Sequence, residues 1–136
     1  MRAVAILLLH VLLLASRTAE ARCEAQPRFL TLEYLHRWEI IAFGRVIKTH
    51  DDASARYESF ATLILEGSWQ GDPPNPLTVY HSDSAHGYQF TEGSSYLVFA
   101  SRDAGGRIEA SICSPTCRGS DCLPQRNLLG EPTARF

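Results

Sequence analysis

Two groups of residues in this chain carry the types and spacing that could do chemistry. The first is the cysteines, Cys23, Cys113, Cys117 and Cys122. Four thiols can close two disulfides or hold one metal ion. The second is a turn in which His81 and His86 bracket Ser-Asp-Ser-Ala, so that two imidazoles and the Asp83 carboxylate lie within a few positions. Imidazole and carboxylate are ordinary zinc or copper ligands. The same turn gathers Ser, His and Asp, the residue types of a nucleophilic triad.

Neither group composes a catalytic site by sequence. A hydrolase serine of the nucleophile-elbow type needs a G-x-S-x-G turn, which the chain lacks, and neighbours in sequence do not make a triad. Glu58, Glu66, Glu92 and Glu109 have no paired context of the kind a glycosidase uses. Gly44, Gly87 and Gly93 follow neither phosphate-cradling spacing and are read as backbone-geometry positions. Of the histidines His36, His50, His81 and His86, the two that bracket the turn, His81 and His86, are read as ordinary surface-loop histidines and not as metal ligands. The expectation is therefore no enzyme, no cofactor and no metal.

The cysteines depend on the compartment, and the start of the chain speaks to that. Arg2 precedes an apolar run over residues 4–15, which is too short to span a bilayer. Ala19-Glu20-Ala21 then has the small-x-small pattern of a signal-peptidase site. A signal peptide over residues 1–21 is expected, cut after Ala21, with Arg22 as the new terminus. An uncleaved N-terminal anchor is the alternative. Export favours disulfides over thiols. Three pairings are open. Cys117 and Cys122 flank Arg-Gly-Ser-Asp, a turn that closes easily, which leaves Cys23 to pair with Cys113. A zinc site on all four would use C-x3-C-x4-C plus a distant cysteine, a loose match to known spacings.

Residues 22–136 make one domain, with a modest core that benefits from such staples. Loss of the leader shifts the formal charge from −2 to about −3, and Lys48 is the lone lysine. A nucleic-acid surface needs clustered cations, so no nucleic-acid partner is expected. No later segment reaches membrane-spanning length, so the mature chain is expected outside the membrane, extracellular or periplasmic.

The elements that would position these residues are short. Residues 31–38 read as a helix with Thr31 as N-cap, Glu33 in the first turn and Leu32, Tyr34, Leu35 and Trp38 on one apolar face. Five strands are expected at 40–49, 57–66, 77–82, 95–101 and 107–113. Gly44 inside the first marks a bend or bulge. Residues 67–76 read as a loop carrying Trp69, which is read as capping a barrel end, with partner binding as the alternative, and Asp103-Ala104-Gly105-Gly106 as a hairpin turn. Residues 115–136, rich in Pro, Gly and Arg, read as an irregular tail. The expected fold is mainly β: a five-stranded Greek-key barrel of the OB type with one packed N-terminal helix. A β-sandwich would usually need more strands.

In their order, several motifs resemble the bacterial members of the family of tissue inhibitors of metalloproteinases, also called netrin-like domains. They are the early Cys23, the short helix, Ala42-Phe43-Gly44-Arg45-Val46 and Trp69-Gln70-Gly71. Gly87-Tyr88-Gln89-Phe90, Gly93-Ser94-Ser95-Tyr96-Leu97-Val98-Phe99-Ala100 and Cys113-Ser114 follow. The likeness covers residues 23–114, taken as the inhibitor-like domain 22–114. The family commonly opens with Cys-x-Cys, the first bridging to a cysteine before the Gly-Tyr/Phe motif. Here those positions hold Ala21 and His86, so both halves of that bridge are missing together. The other bridge keeps both halves, Cys23 and Cys113.

The resemblance implies a secreted protein-binding domain whose partner is an extracellular or periplasmic zinc metalloprotease or another protein. The implied contact residues are Arg22, Cys23, Trp69 and His86. In the family's animal inhibitors the terminal cysteine's amine and carbonyl chelate the protease's zinc. Here the terminus would be Arg22, without the bridge that holds it rigid. A structural or envelope-associated module without inhibitory activity is a second class the sequence leaves open, and a carbohydrate- or oligonucleotide-binding OB barrel a third, the acidic charge speaking against its nucleic-acid version.

Peptide mapping of unreduced protein is expected to recover Cys23–Cys113 and Cys117–Cys122 linked peptides. The longer bridge is worth about 4–5 kcal/mol against about 2 for the short one, so Cys23→Ser should destabilise far more than Cys122→Ser. A Cys113–Cys117 peptide would show the pairing to be wrong.

Overall fold

The computed structural model describes residues 27–51, 59–81 and 89–136. Five strands close on one another: β1 (Ile40–His50), β2 (Ser59–Gln70), β3 (Leu77–His81), β4 (Ser95–Arg102) and β5 (Ile108–Glu109). β1 pairs antiparallel with β2 along one edge and with β4 along the other. β2 pairs with β3, and β4 with β5, both antiparallel. One parallel rung, Tyr80 opposite Glu109, completes the ring. The order around it is β1-β2-β3-β5-β4 and back to β1. This is the mainly β, closed five-stranded barrel expected from the strand count.

Closure requires β1 to bend, because only residues 40–45 run beside β4 while the ladder with β2 continues to His50. Gly44 stands at the bend. The register with β2 shifts between Phe43 and Gly44, and a Cβ at Gly44 would lie 2.4 Å from the Ile64 carbonyl oxygen. The bulge expected there is present, and glycine is needed because β2 approaches so closely. Of the two other shifts in this ladder, the one between Val46 and Lys48 leaves Ile47 as an extra exposed residue.

Alternation along the strands then builds two cores. Inside the barrel lie Ala42 and Val46 of β1, Leu63 and Leu65 of β2, Val79 of β3 and Val98 of β4, with Tyr96 filling one end. Outside β1 and β4 a second cluster forms from Ile41, Leu97, Phe99, Trp69, Tyr34 and Leu35. β4 belongs to both: every residue from Tyr96 to Ala100 is at most 1% exposed.

The helix in the second core, α1 (Leu32–Leu35), is one turn and not the two expected. Thr31 caps it as predicted, its Oγ1 accepting from the Tyr34 N–H at 3.2 Å. The apolar face is Tyr34, Leu35 and Trp38, while Leu32 is largely exposed. A single turn cannot sustain itself and depends on packing. Trp38 leaves the helix to meet Tyr34 and Phe99 edge-on at 5.2 and 5.8 Å. Gln70 fixes this exit. Its Nε2 donates to the carbonyls of Trp38 (2.5 Å) and His36 (3.2 Å), and its Oε1 bonds the His36 ring.

Three expectations are corrected. β2 runs on through Gly67, Ser68, Trp69 and Gln70, which read as loop. The turn comes at Gly71, where φ is +77° and a Cβ would lie 2.5 Å from the Glu39 oxygen. The fifth strand is two residues long, because the chain turns away at Ser111–Ser114. Residues 115–136 are not irregular. They form β6 (Cys117–Arg118), a 3-10 turn (Gly119–Cys122), α2 (Leu123–Leu129) and β7 (Ala134–Arg135). β6 pairs with β4 and β7 with β2, so the segment packs on the barrel.

The Asp103 turn matches its signal. The carboxylate accepts from the backbone N–H groups of Arg107 (2.9 Å) and Gly105 (2.8 Å) and pairs with the Arg107 side chain. The Arg107 backbone hydrogen bond, more than any other partner, holds the Asp103 carboxyl below its ordinary value.

Phe99→Ala is expected to cost about 3–5 kcal/mol, since it empties the second core beside Trp38. Ile64→Ala, on an exposed position of β2, should stay within about 0.5 kcal/mol. Urea denaturation of both variants checks the contrast.

Candidate functional site

Of the contact residues implied by the sequence, Arg22, Cys23 and His86 lie outside the described residues, as do Asp83 and the rest of its turn. Cys113 is disulfide-bonded, and Cys117 is bridged to Cys122 across a Cα–Cα distance of 5.3 Å. Trp69 is described, on a strand and not in a loop. Lengthening of β2 carries it into the second core at 8% exposure, and its indole N–H donates to the Gly130 carbonyl at 2.8 Å.

The histidines also separate. His81 is buried, not on the surface, packing against Phe90 at 5.5 Å. It stands opposite Ser59, whose buried hydroxyl meets no hydrogen-bond partner among the described residues. His36 is tied to Gln70, and His50 stacks on Phe60. Among the described residues no three His, Cys, Asp or Glu side chains gather as a metal site would require. Nor is any helix among them long and apolar enough to cross a membrane.

Two surfaces remain. One is a cleft of about 250 Å³ where the C-terminal segment crosses β2, lined by Phe43, Glu66, Trp69, Arg126, Glu131 and Arg135. Its cations are engaged: Arg126 lies 4.6 Å over the Phe43 ring, and Arg135 bonds Glu131. Gly67 admits the crossing, since a Cβ there would meet Pro132 at 3.1 Å. Thr133 secures it with N–H and hydroxyl bonds to the Ser68 carbonyl, at 2.8 and 3.0 Å.

The other is the outer face of β1, β2 and β3. Cross-strand partners share a face, so the register sets out its rungs: Arg45 beside Ile64, Lys48 beside Thr62 and Thr78, and His50 beside Phe60 and Tyr80. Glu109 extends the last rung, with Arg107 4.7 Å over the Tyr80 ring. Sequence reading assigned none of these residues to a binding site. A signal was present: Phe60 and Ile64 place apolar side chains on the face of β2 opposite Ala61, Leu63 and Leu65, where a half-buried strand ordinarily turns polar.

No protein-family model matches the chain, and no curated protein matches it.

Trp69→Phe keeps most of the apolar volume and removes the bond to Gly130, leaving that carbonyl without its indole donor. A loss of about 1 kcal/mol is expected. The increase in hydrogen exchange should concentrate at residues 130–136, which an amide-exchange measurement would detect.

Proposed function

We propose that residues 22–136 form a secreted binding domain of the class the sequence resembles, an OB-type Greek-key barrel that acts by protein contact and not by catalysis. The observation that carries this reading is the barrel's order, β1-β2-β3-β5-β4-β1, with a parallel β3–β5 closure and a disulfide-bonded cysteine soon after the last barrel strand. Closure by a β3–β5 rung is what an OB-type barrel requires, and the bonded Cys113 fits the bridge that the family retains.

The partner in this reading is an extracellular or periplasmic zinc metalloprotease or another protein. Direct inhibition is weak or absent. A terminus that chelates zinc must be held in place beforehand, or the ordering cost is subtracted from binding. With Ala21 on the discarded side and His86 in place of a cysteine, the bridge that would hold it is missing.

The purified mature chain is expected to give no better than weak inhibition across a panel of zinc metalloproteases. Nanomolar inhibition abolished by acetylating the Arg22 amine would refute this, since it would require the terminus to chelate zinc without the bridge.

A further inference from the structure

Exposed apolar side chains in this domain are not evenly scattered. Nine large ones are exposed among the described residues, and five of them lie on two elements that touch. Phe29 and Leu30 precede α1, Leu32 opens it, and Leu123 and Leu128 lie on α2, which contacts α1. Single apolar residues on a surface need no explanation, but a concentration of them marks a contact site. Both elements have already used their inward residues: Tyr34 and Leu35 of α1 and Leu129 of α2 pack in the second core. What is left outside includes Phe29, the most open of the nine at 77%.

Charge and chain order say what covers this side. Residues 28–39 and 117–130 hold the four arginines Arg28, Arg37, Arg118 and Arg126 against three carboxylates, in a chain where Asp and Glu outnumber Lys and Arg by 15 to 13. The acidic excess therefore lies elsewhere, and the apolar residues stand among cations. A cut after Ala21 adds the Arg22 side chain and its α-amine within five residues of Pro27. The leader expected over residues 1–21 has its apolar run at 4–15, and a leader of that kind enters a bilayer. Residues 16–26 join that run to Pro27 and reach at most about 40 Å when fully extended. This side of the domain therefore stays close to the bilayer as long as the leader holds it.

A second copy of the chain is a poorer occupant, because a two-fold contact through this side sets the same arginines against each other. Apolar residues among cations suit the boundary between acyl chains and anionic headgroups. No described helix is long and apolar enough to cross a membrane, so the contact is peripheral. We propose that α1, the stretch before it and α2 dock the domain on an anionic lipid bilayer. Phe29, Leu30, Leu32, Leu123 and Leu128 enter the headgroup–acyl boundary, and the neighbouring arginines hold the headgroups. The contact is independent of the inhibitor-like reading and stands if that reading fails.

Co-sedimentation of the full mature chain with vesicles tests this. One set of vesicles is phosphatidylcholine alone, the other an equal mixture of phosphatidylcholine and phosphatidylglycerol. Saturable binding to the mixed vesicles is expected, weakening as salt rises, with little binding to the neutral ones. Phe29→Ser with Leu32→Ser should weaken binding at least about tenfold. Leu128→Ser, which leaves α1 untouched, and Arg28→Gln should each weaken it less. Ile47→Ser, at an exposed apolar residue of the β1 bulge, should leave it unchanged. All the substituted residues are exposed, so thermal melts should show every variant folded. The proposal is overturned if neither kind of vesicle binds, if neutral vesicles bind as tightly, or if the folded Phe29–Leu32 double variant binds like the parent chain. It is also overturned if sedimentation shows a dimer that the double variant dissociates, since a second copy would then occupy this side.

Discussion

The structure depends on β4 being buried on both faces. Side chains from Tyr96 to Ala100 alternate between the barrel interior and the second core, and none reaches solvent appreciably. A strand so placed cannot give its backbone groups to water, so both of its edges need partners. β1 supplies one edge. The other is assembled from pieces: β5 at Ser101 and Arg102, β6 at Tyr96 and Leu97, and between them the Thr116 hydroxyl, which takes the Phe99 N–H at 3.0 Å. Ser114 in turn bonds the Thr116 hydroxyl at 2.8 Å, within a buried pair.

This requirement explains the C-terminal segment. A barrel of five strands covers only the inner faces, and Leu97, Phe99 and Ile41 would otherwise present apolar surface to water at about 25 cal/mol per Å². α1 covers part of it with Tyr34 and Leu35. The rest falls to the chain beyond Cys113, which β6 and the Cys117–Cys122 bridge hold against β4. Trp69 then links the two ends of this cover, its ring in the second core and its N–H on Gly130 after α2. Residues 117–136 are thus part of the wall that encloses the second core.

How much of this was legible follows from which forces are local. β4 is a continuous apolar run after Gly93, and a strand buried on both faces reads that way. Gly44 announced the bulge, Thr31 the helix cap and Asp103 the turn, because each acts within a few residues. The ordered tail was not legible. α2 buries no residue fully and has no amphipathic run to announce it, and its neighbour β7 rests on β2 through Ser68 and Gly67. The end of β2 was hidden for the same reason. Gly67 and Ser68 look like turn residues until two strands flank them, when small size becomes what the crossing needs.

The candidate site was hidden in a different way. Its rungs join residues of three strands that the loop over 71–76 and the β1–β2 connection separate in sequence, so only the register brings Lys48, Thr62 and Thr78 together. Trp69, the aromatic that drew notice as a binding residue, serves the interior, while Phe60 and Tyr80, unremarked, line the open face. The same asymmetry separates the two faces physically. Where the cover is thick, aromatic rings exclude water and take backbone partners. Where it is missing, they pair with His50 and Arg107 and keep polar or cationic atoms outward. Among the described residues neither Arg45 nor Lys48 forms an ion pair, so on this side charge and not apolar packing faces outward.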